Sequence, residues 1–254
     1  MVLRSIGYKE YIGEPKQWVL DDFDIGMVNL LVGRNATGKT RALNVIGNLA
    51  NLLAGEKKGL FDNGEYRLEF QNDGEIVLYE LYYREHQVRY EKLLIDGEVK
   101  LDRGDDGTGT IYATELNQNM RFQSPTNELA AVARRDTVQH AFLEPIHNWG
   151  RSVRHFYFGS GMGREYLLVQ VSETLNRPNP KETDKVTGIA AAGIAESGDR
   201  FIKGVVGDLN RIGYDAEDFG VDAVPGVVLQ GAPTSTATGI YVKERDLSDR
   251  TYQT

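Results

Sequence analysis

The chain has no cysteine among its 254 residues and only four histidines. Its lysines and arginines are outnumbered by carboxylates, 29 against 37, for a formal charge of −8. Without cysteine there is neither a disulfide framework nor a thiolate metal site. His86, His140, His147 and His155 show no zinc-ligand spacing; His140 and His147 share a helical face and read as solvated or internally bonded side chains. The acidic balance argues against a generic coat for nucleic acid, although it leaves room for a local basic stripe. A secretory pattern is missing, as is any apolar run of membrane-spanning length. The expectation is a cytoplasmic protein with no membrane attachment. Hydrophobic residues make up 41%, enough for a real core.

What is present is concentrated in one string. Gly33-Arg34-Asn35-Ala36-Thr37-Gly38-Lys39-Thr40 spells the phosphate-binding pattern GxxxxGK[ST]. Met27–Val32 leads into it as an apolar strand, and Leu43, Ile46, Ala50 and Leu53 recur behind it at helical spacing. The context matters because such a loop cradles phosphate only between a strand end and a helix N-terminus. Gly33 and Gly38 let main-chain amides curl around a β-phosphate. In that pattern Lys39 reaches the β/γ oxygens and the Thr40 hydroxyl holds Mg²⁺. The residues from Gly33 to Thr40, together with Arg41, form the candidate set for ATP and Mg²⁺.

Around this string the patterning predicts strands at Val2–Lys9 and Trp18–Phe23 and a helix over 39–53. An antiparallel meander comes next, with apolar alternation at Tyr66/Leu68/Phe70, Val77/Tyr79/Leu81/Tyr83 and Val88/Tyr90 up to Leu93-Leu94-Ile95. Asn72-Asp73-Gly74, Arg84–Gln87 and Asp96-Gly97 supply its turns. Arg103–Thr110 reads as a polar, mobile stretch. Helices are expected at Glu128–Arg135 and Thr137–Gly150, the second kinked or restarted at Pro145. Further expectations are short strands at Phe156–Phe158 and Tyr166–Ser172, a loop at Asn176–Asp184 and a helix begun by Asp199 with Phe201, Val205, Leu209 and Ile212 on one stripe. Strands at Gly226–Leu229 and Gly239–Glu244 are the last elements expected. The division expected is a nucleotide-binding core (1–62), a meander insert (63–103), a helical lobe with short strands (104–215) and strands returning to the core (216–254).

The phosphate loop does not define a reaction. Asn-Lys-x-Asp, the guanine-specificity pattern, is missing, which weighs against a GTP switch. ATP hydrolysis needs an apolar strand ending in Asp for Mg²⁺, usually with a Glu to orient water. Leu93-Leu94-Ile95-Asp96 has that shape but reads better as a strand entering the Asp96-Gly97 turn, and Ile76–Glu80 is a similar decoy. A P-loop phosphotransferase is disfavoured by the long meander after the first helix.

With Ile6-Gly7-Tyr8-Lys9-Glu10-Tyr11, the strand–loop–helix unit, the meander and the segment Tyr82–Arg103, the chain resembles the start of an ABC-type ATPase head. The similar groups are the RecF-like, structural-maintenance-of-chromosomes-like and overcoming-lysogenisation-defect-like ATPases of DNA repair and anti-phage defence. The resemblance implies an α/β P-loop NTPase fold with a mixed sheet, a meander insert and a helical lobe. It implies that Lys9 lies near the nucleotide and that Gln123 senses Mg²⁺ and the γ-phosphate, with Gln118 as the competing residue. It also implies ATP hydrolysis by a homodimer or higher oligomer with ATP sandwiched between heads, working with an effector such as a nuclease. The signature loop, Asp-Glu strand and switch histidine of such heads are not found before Thr254, so an N-terminal half-head, incomplete for hydrolysis alone, is expected. A non-hydrolysing, nucleotide-gated interaction module is the alternative. Arg134, Arg135, Arg151, Arg154 and Arg164 form either a DNA-facing stripe or a solvated or protein-binding face.

Overall fold

The computed structural model describes residues 1–57, 59–156, 167–170, 186–225, 236–245 and 251–252. They form two compact units, Met1–Val153 and Arg154–Thr254. The boundaries expected after 62, 103 and 215 do not coincide with this division. Hydrogen bonding explains the first two: strands from residues 1–24 and 63–123 belong to one sheet.

That sheet has eight strands in the order β2-β1-β3-β4-β5-β6-β7-β8. They are β1 (Val2–Glu10), β2 (Trp18–Asp24), β3 (Asn63–Asn72), β4 (Glu75–Arg84), β5 (Gln87–Ile95), β6 (Glu98–Arg103), β7 (Thr108–Ala113) and β8 (Gln118–Gln123). Every pairing is antiparallel. The mixed sheet expected from the resemblance is therefore not what these strands form. Part of the expected helical lobe is strand instead: only Gly104–Gly107 separates β6 from β7, so the polar stretch at Arg103–Thr110 is two strand ends around a four-residue turn.

Alternation along the strands builds the core. Tyr66, Leu68 and Phe70 of β3 and Val77, Tyr79, Leu81 and Tyr83 of β4 point to one face and are buried. Three two-residue turns set the register: Asp73-Gly74, Glu85-His86 and Asp96-Gly97 all have positive φ at both positions, the geometry whose twist matches the flanking strands. One register shift has a chemical consequence. Tyr82 pairs with Tyr90 and Tyr83 with Val88, so Arg89 is an extra residue in β5. Such a bulge exchanges the faces of the residues beyond it, and Glu91 is delivered to the core instead of Tyr90.

Against the buried face pack α1 (Lys39–Leu53), the single turn α2 (Ala130–Ala133) and α3 (Glu144–Ser152), which comes after a 3-10 turn at Ala141–Leu143. Val45, Leu49, Leu52 and Leu53 of α1 and Ile146 and Trp149 of α3 join the core, with the Trp149 ring edge-on to Phe70 at 4.9 Å. Gly150 permits the close α1–α3 approach, since a Cβ there would stand 2.7 Å from the Ala50 carbonyl oxygen. His147 closes the same junction, its buried Nδ1 3.1 Å from the Leu53 carbonyl, one of the acceptors a helix end leaves unpaired. Pro145 sits in the first turn of α3, where its missing N–H costs nothing, so the helix starts there and is not broken.

The expected strand at Met27–Val32 is absent. Ile25 N–H donates to the Arg4 carbonyl at 2.7 Å, and then the chain turns away. Gly26 and Asn29 form that turn, with Gly26 N–H to Asn29 Oδ1 and Asn29 Nδ2 to Gly26 O, both 3.0 Å. No described strand lies beside Met27–Val32. Met27, Val28, Leu30 and Val32 are 79–101% exposed.

The second unit contains α4 (Val186–Ser197), α5 (Asp199–Arg211) and an antiparallel sheet in which β11 (Thr236–Glu244) pairs with β10 (Ala216–Ala223), β12 (Thr251–Tyr252) and β9 (Leu167–Gln170). The α5 stripe carrying Phe201, Val205 and Leu209 forms as expected, although Ile212 falls just beyond the helix and is exposed. The expectations at 157–158, 166, 171–172, 176–184 and 226–229, and Arg164, lie outside the described residues.

Candidate phosphate site

The loop from Gly33 to Thr40 alternates hand. Ala36 has φ 64° and Gly38 φ 94°, whereas Thr37 between them stays at negative φ. Successive residues of opposite hand turn their amide N–H groups toward a common point, a concavity suited to an anion. The loop then opens α1, a helix of 15 residues. Gly38 at its start offers no side-chain cap, and the first turn carries no acidic residue. The unpaired amides and the positive end of the helix dipole are left without a compensating group from the chain.

Two side chains hold the loop. Lys39 Nζ donates to the carbonyls of Gly33 and Arg34, 2.7 Å to each. An ammonium has three donors, so one remains for a ligand oxygen. Thr37 Oγ1 donates to Arg34 O at 2.8 Å. A Cβ at Gly33 would stand 2.9 Å from that hydroxyl, so a larger residue there would displace it. Thr40 lies exposed in the first helical turn.

The wall beside the loop comes from β1 and β2. The Trp18 indole lies against Gly38, where a Cβ would come within 2.9 Å of Nε1. The Arg41 guanidinium sits over the indole at 5.0 Å and pairs with Glu10. The other carboxylate oxygen of Glu10 accepts from Tyr8 Oη at 2.8 Å. Burial first, then Tyr83 and Glu10, hold the Tyr8 hydroxyl well above its ordinary pKa, so it remains a donor.

The residues expected from the resemblance are not gathered here. Tyr8 and Glu10 face α1, and Lys9 between them faces the other side of the sheet. There it lies 3.9 Å from Glu65, in a cleft of about 420 Å³ shared with Tyr11, Asn63, Tyr82 and Arg84. Gln118 and Gln123 are the ends of β8, the sheet edge opposite β2, about 30 Å away along the sheet at roughly 4.8 Å per strand. Gln123 uses its carbonyl to accept from Arg134.

Other sequence candidates also have structural occupations. Arg134 bonds Ser124 Oγ at 3.3 Å and lies over Phe122, and Arg135 pairs with Glu144 at 3.4 Å. Asp96 ends β5 in a hairpin turn and accepts from Ile76 N–H at 2.9 Å. His140 Nδ1 is 3.0 Å from the Tyr112 carbonyl. Among the described residues no group of three or more histidines and carboxylates could hold a metal.

Two constellations were missed in the sequence. One is the wall of Glu10, Trp18 and Arg41, of which the sequence pattern marks Arg41 alone. Its signal was available: if Tyr8 is a core residue, two-residue alternation turns Lys9 outward and brings Glu10 to the helix side. The other is a buried ion pair, Glu91–Arg103, with N···O 3.6 Å and both side chains fully buried. Nothing in the sequence marks the bulge that buries Glu91.

No family model, curated protein or solved structure matches the chain. Among the described residues no helix is long and apolar enough to cross a membrane.

Proposed function

We propose that this chain binds a nucleoside triphosphate with Mg²⁺ at the Gly33–Thr40 loop, and that ATP is the physiological nucleotide, as the resemblance to ABC-type heads implies. The observation that carries the reading is the alternating-hand segment Ala36–Gly38 opening an uncapped helix, with Lys39 bridging two loop carbonyls and so holding the loop in the absence of the strand end expected before it. The loop amides and the remaining Lys39 donor take the phosphate oxygens; the Thr40 hydroxyl is the protein's ligand to Mg²⁺. Bound Mg²⁺ neutralises charge between the β- and γ-phosphates.

Binding is better supported than turnover. Hydrolysis needs a carboxylate to complete the metal site and a base to orient water. Glu10, the carboxylate tied to the loop's own helix, is committed to Arg41 and Tyr8. In the function proposed, the chain is a nucleotide-gated interaction module, and a partner or a second copy completes the site. Nucleotide favours the associated form because it contacts that form more extensively than the free one.

Calorimetric titration with Mg²⁺·ATP tests this. Lys39→Ala lowers affinity by about 10- to 150-fold, the equivalent of one charge-assisted hydrogen bond at about 1.5–3 kcal/mol. Thr40→Ala weakens binding in Mg²⁺ but has no effect in EDTA. If wild-type protein binds neither ATP nor inorganic tripolyphosphate at millimolar concentration, the reading is wrong.

A further inference from the structure

We propose that the guanidinium plane of Arg41, supported from below by Trp18, is the surface on which the base of the bound nucleotide stacks. The inference rests on the nucleotide reading and adds the part of the ligand that the phosphate loop does not specify.

Three observations carry it. First, Arg41 is the residue directly after Thr40, so its side chain leaves the first turn of α1 beside the phosphate cradle. Second, its position is fixed from two directions: the indole lies under it at 5.0 Å, and Glu10, itself held by Tyr8 Oη, takes its Nη2. The indole is in turn lodged between Gly38 of the loop and the buried Tyr8 ring, whose centroid is 5.9 Å away. Third, the Glu10 side chain is 12% exposed, but that of Arg41 is 46% exposed. The carboxylate that anchors this stack is sheltered, and the arginine side chain is about half open to solvent.

Guanidinium planes stack on nucleobases as aromatic rings do. A plane already locked by an indole and a carboxylate gives up little conformational freedom when a base settles on it. Glu10 also neutralises the cation, which reduces its pull on phosphate and leaves planarity as its distinctive contribution. Stacking tolerates any base because every base has a π-face, so the stack favours purines over pyrimidines by ring area and separates ATP from GTP weakly.

The test compares Mg²⁺ complexes of ATP, CTP and inorganic tripolyphosphate on wild type, Arg41→Ala, Arg41→Lys and Lys39→Ala, with thermal melts confirming that each variant is folded. Arg41→Ala is expected to lose about 10-fold or more in ATP affinity, within the range for one stacked base, and to bind tripolyphosphate like wild type. Arg41→Lys keeps the charge but not the plane, and is expected to lose ATP affinity to the same extent. Wild type is expected to prefer ATP over CTP, and Arg41→Ala to bind the two alike. An Arg41→Lys variant that binds ATP normally would make Arg41 a simple phosphate-facing cation and overturn the proposal. So would an equal loss of ATP and tripolyphosphate in Arg41→Ala. If Lys39→Ala abolishes binding of all three ligands and Arg41→Ala changes none, base stacking fails and the phosphate site stands. If wild type binds none of them, both fail together.

Discussion

The buried ion pair of the meander and the loop at Gly33–Thr40 are built on opposite plans. Inside the meander, Glu91 accepts from the amides of Ala130 (2.6 Å) and Ala131 (2.9 Å) and from Tyr79 Oη (3.0 Å), and it faces Arg103. Arg103 donates onward to the carbonyls of Glu128 (2.6 Å) and Pro125 (2.8 Å). Burial pushes the Glu91 carboxyl up, against the pull of those two amides, Arg103 and Tyr79. Both carboxylate oxygens are occupied by the protein, and the result ties β5 and β6 to the segment around α2. At the Gly33–Thr40 loop the helix starts with no side-chain cap, one Lys39 donor is spare, and the residues are mostly exposed. A cluster sealed in the core, with every donor but Arg103 Nε bonded internally, holds a fold together; one whose spare donors are open to solvent can take a ligand. That distinction, and not the amount of charge, separates the candidate site from the fully buried ion pair in the sheet.

Breaking the internal cluster should have the largest effect. Arg103→Ala leaves a buried carboxylate unpaired and is expected to cost about 3–5 kcal/mol, read as a fall in the denaturant midpoint at constant slope. Leu93→Ala, a simple cavity in the same sheet, is expected to cost about 2–5 kcal/mol. Combining Glu91→Gln with Arg103→Met should recover much of the Arg103 loss, because a paired removal abandons no buried charge. A loss below 1 kcal/mol for Arg103→Ala would show that water reaches the pair, and the contrast with the loop would disappear.

A middle-sized effect is expected at Ala36. Its φ of 64° is tolerable for alanine but strained for a β-branched residue. Ala36→Val stores about 1–3 kcal/mol of backbone strain. The loop can open locally without unfolding the sheet, so the cost should appear as weaker tripolyphosphate binding by about 5-fold or more, with the melting temperature barely moved. A large drop in melting temperature instead would mean that the loop is integral to the fold.

How much of this was legible in the sequence depends on the range of the interactions involved. Hairpin turns and strand alternation are local, so the meander, its three turns and the helix over 39–53 could be read directly. The loop's positive-φ glycine and its lysine are local too. Lys9 and Gln123 were placed by likeness to a family, and the structure sets one on the outer face of β1 and the other at the far sheet edge. Glu91 depended on one extra residue in β5, a shift decided by pairing with β4 and invisible in a single strand's pattern. Trp18 reaches Gly38 only because β2 is an edge strand that leads toward the loop. The strand expected at Met27–Val32 fails for a related reason. Apolar residues on both faces suit a strand buried between neighbours, and no described strand lies beside this one.

The smallest expected effect falls on that segment and gives the sharpest contrast with Leu93. Leu93 and Leu30 each stand in an apolar run that resembles a strand of a nucleotide-binding core, yet Leu93 is fully buried and Leu30 is 85% exposed. Truncating an exposed side chain forfeits no burial and leaves no cavity, so Leu30→Ala should change stability by less than about 0.5 kcal/mol. The same substitution should leave tripolyphosphate affinity intact, because the proposed cradle lies in residues further along the chain. A loss above 1 kcal/mol would require Leu30 to be covered in solution. The apolar approach to the loop would then belong with the sheet's interior, and the open, ligand-facing character assigned to this region would shrink to the residues from Gly33 onward.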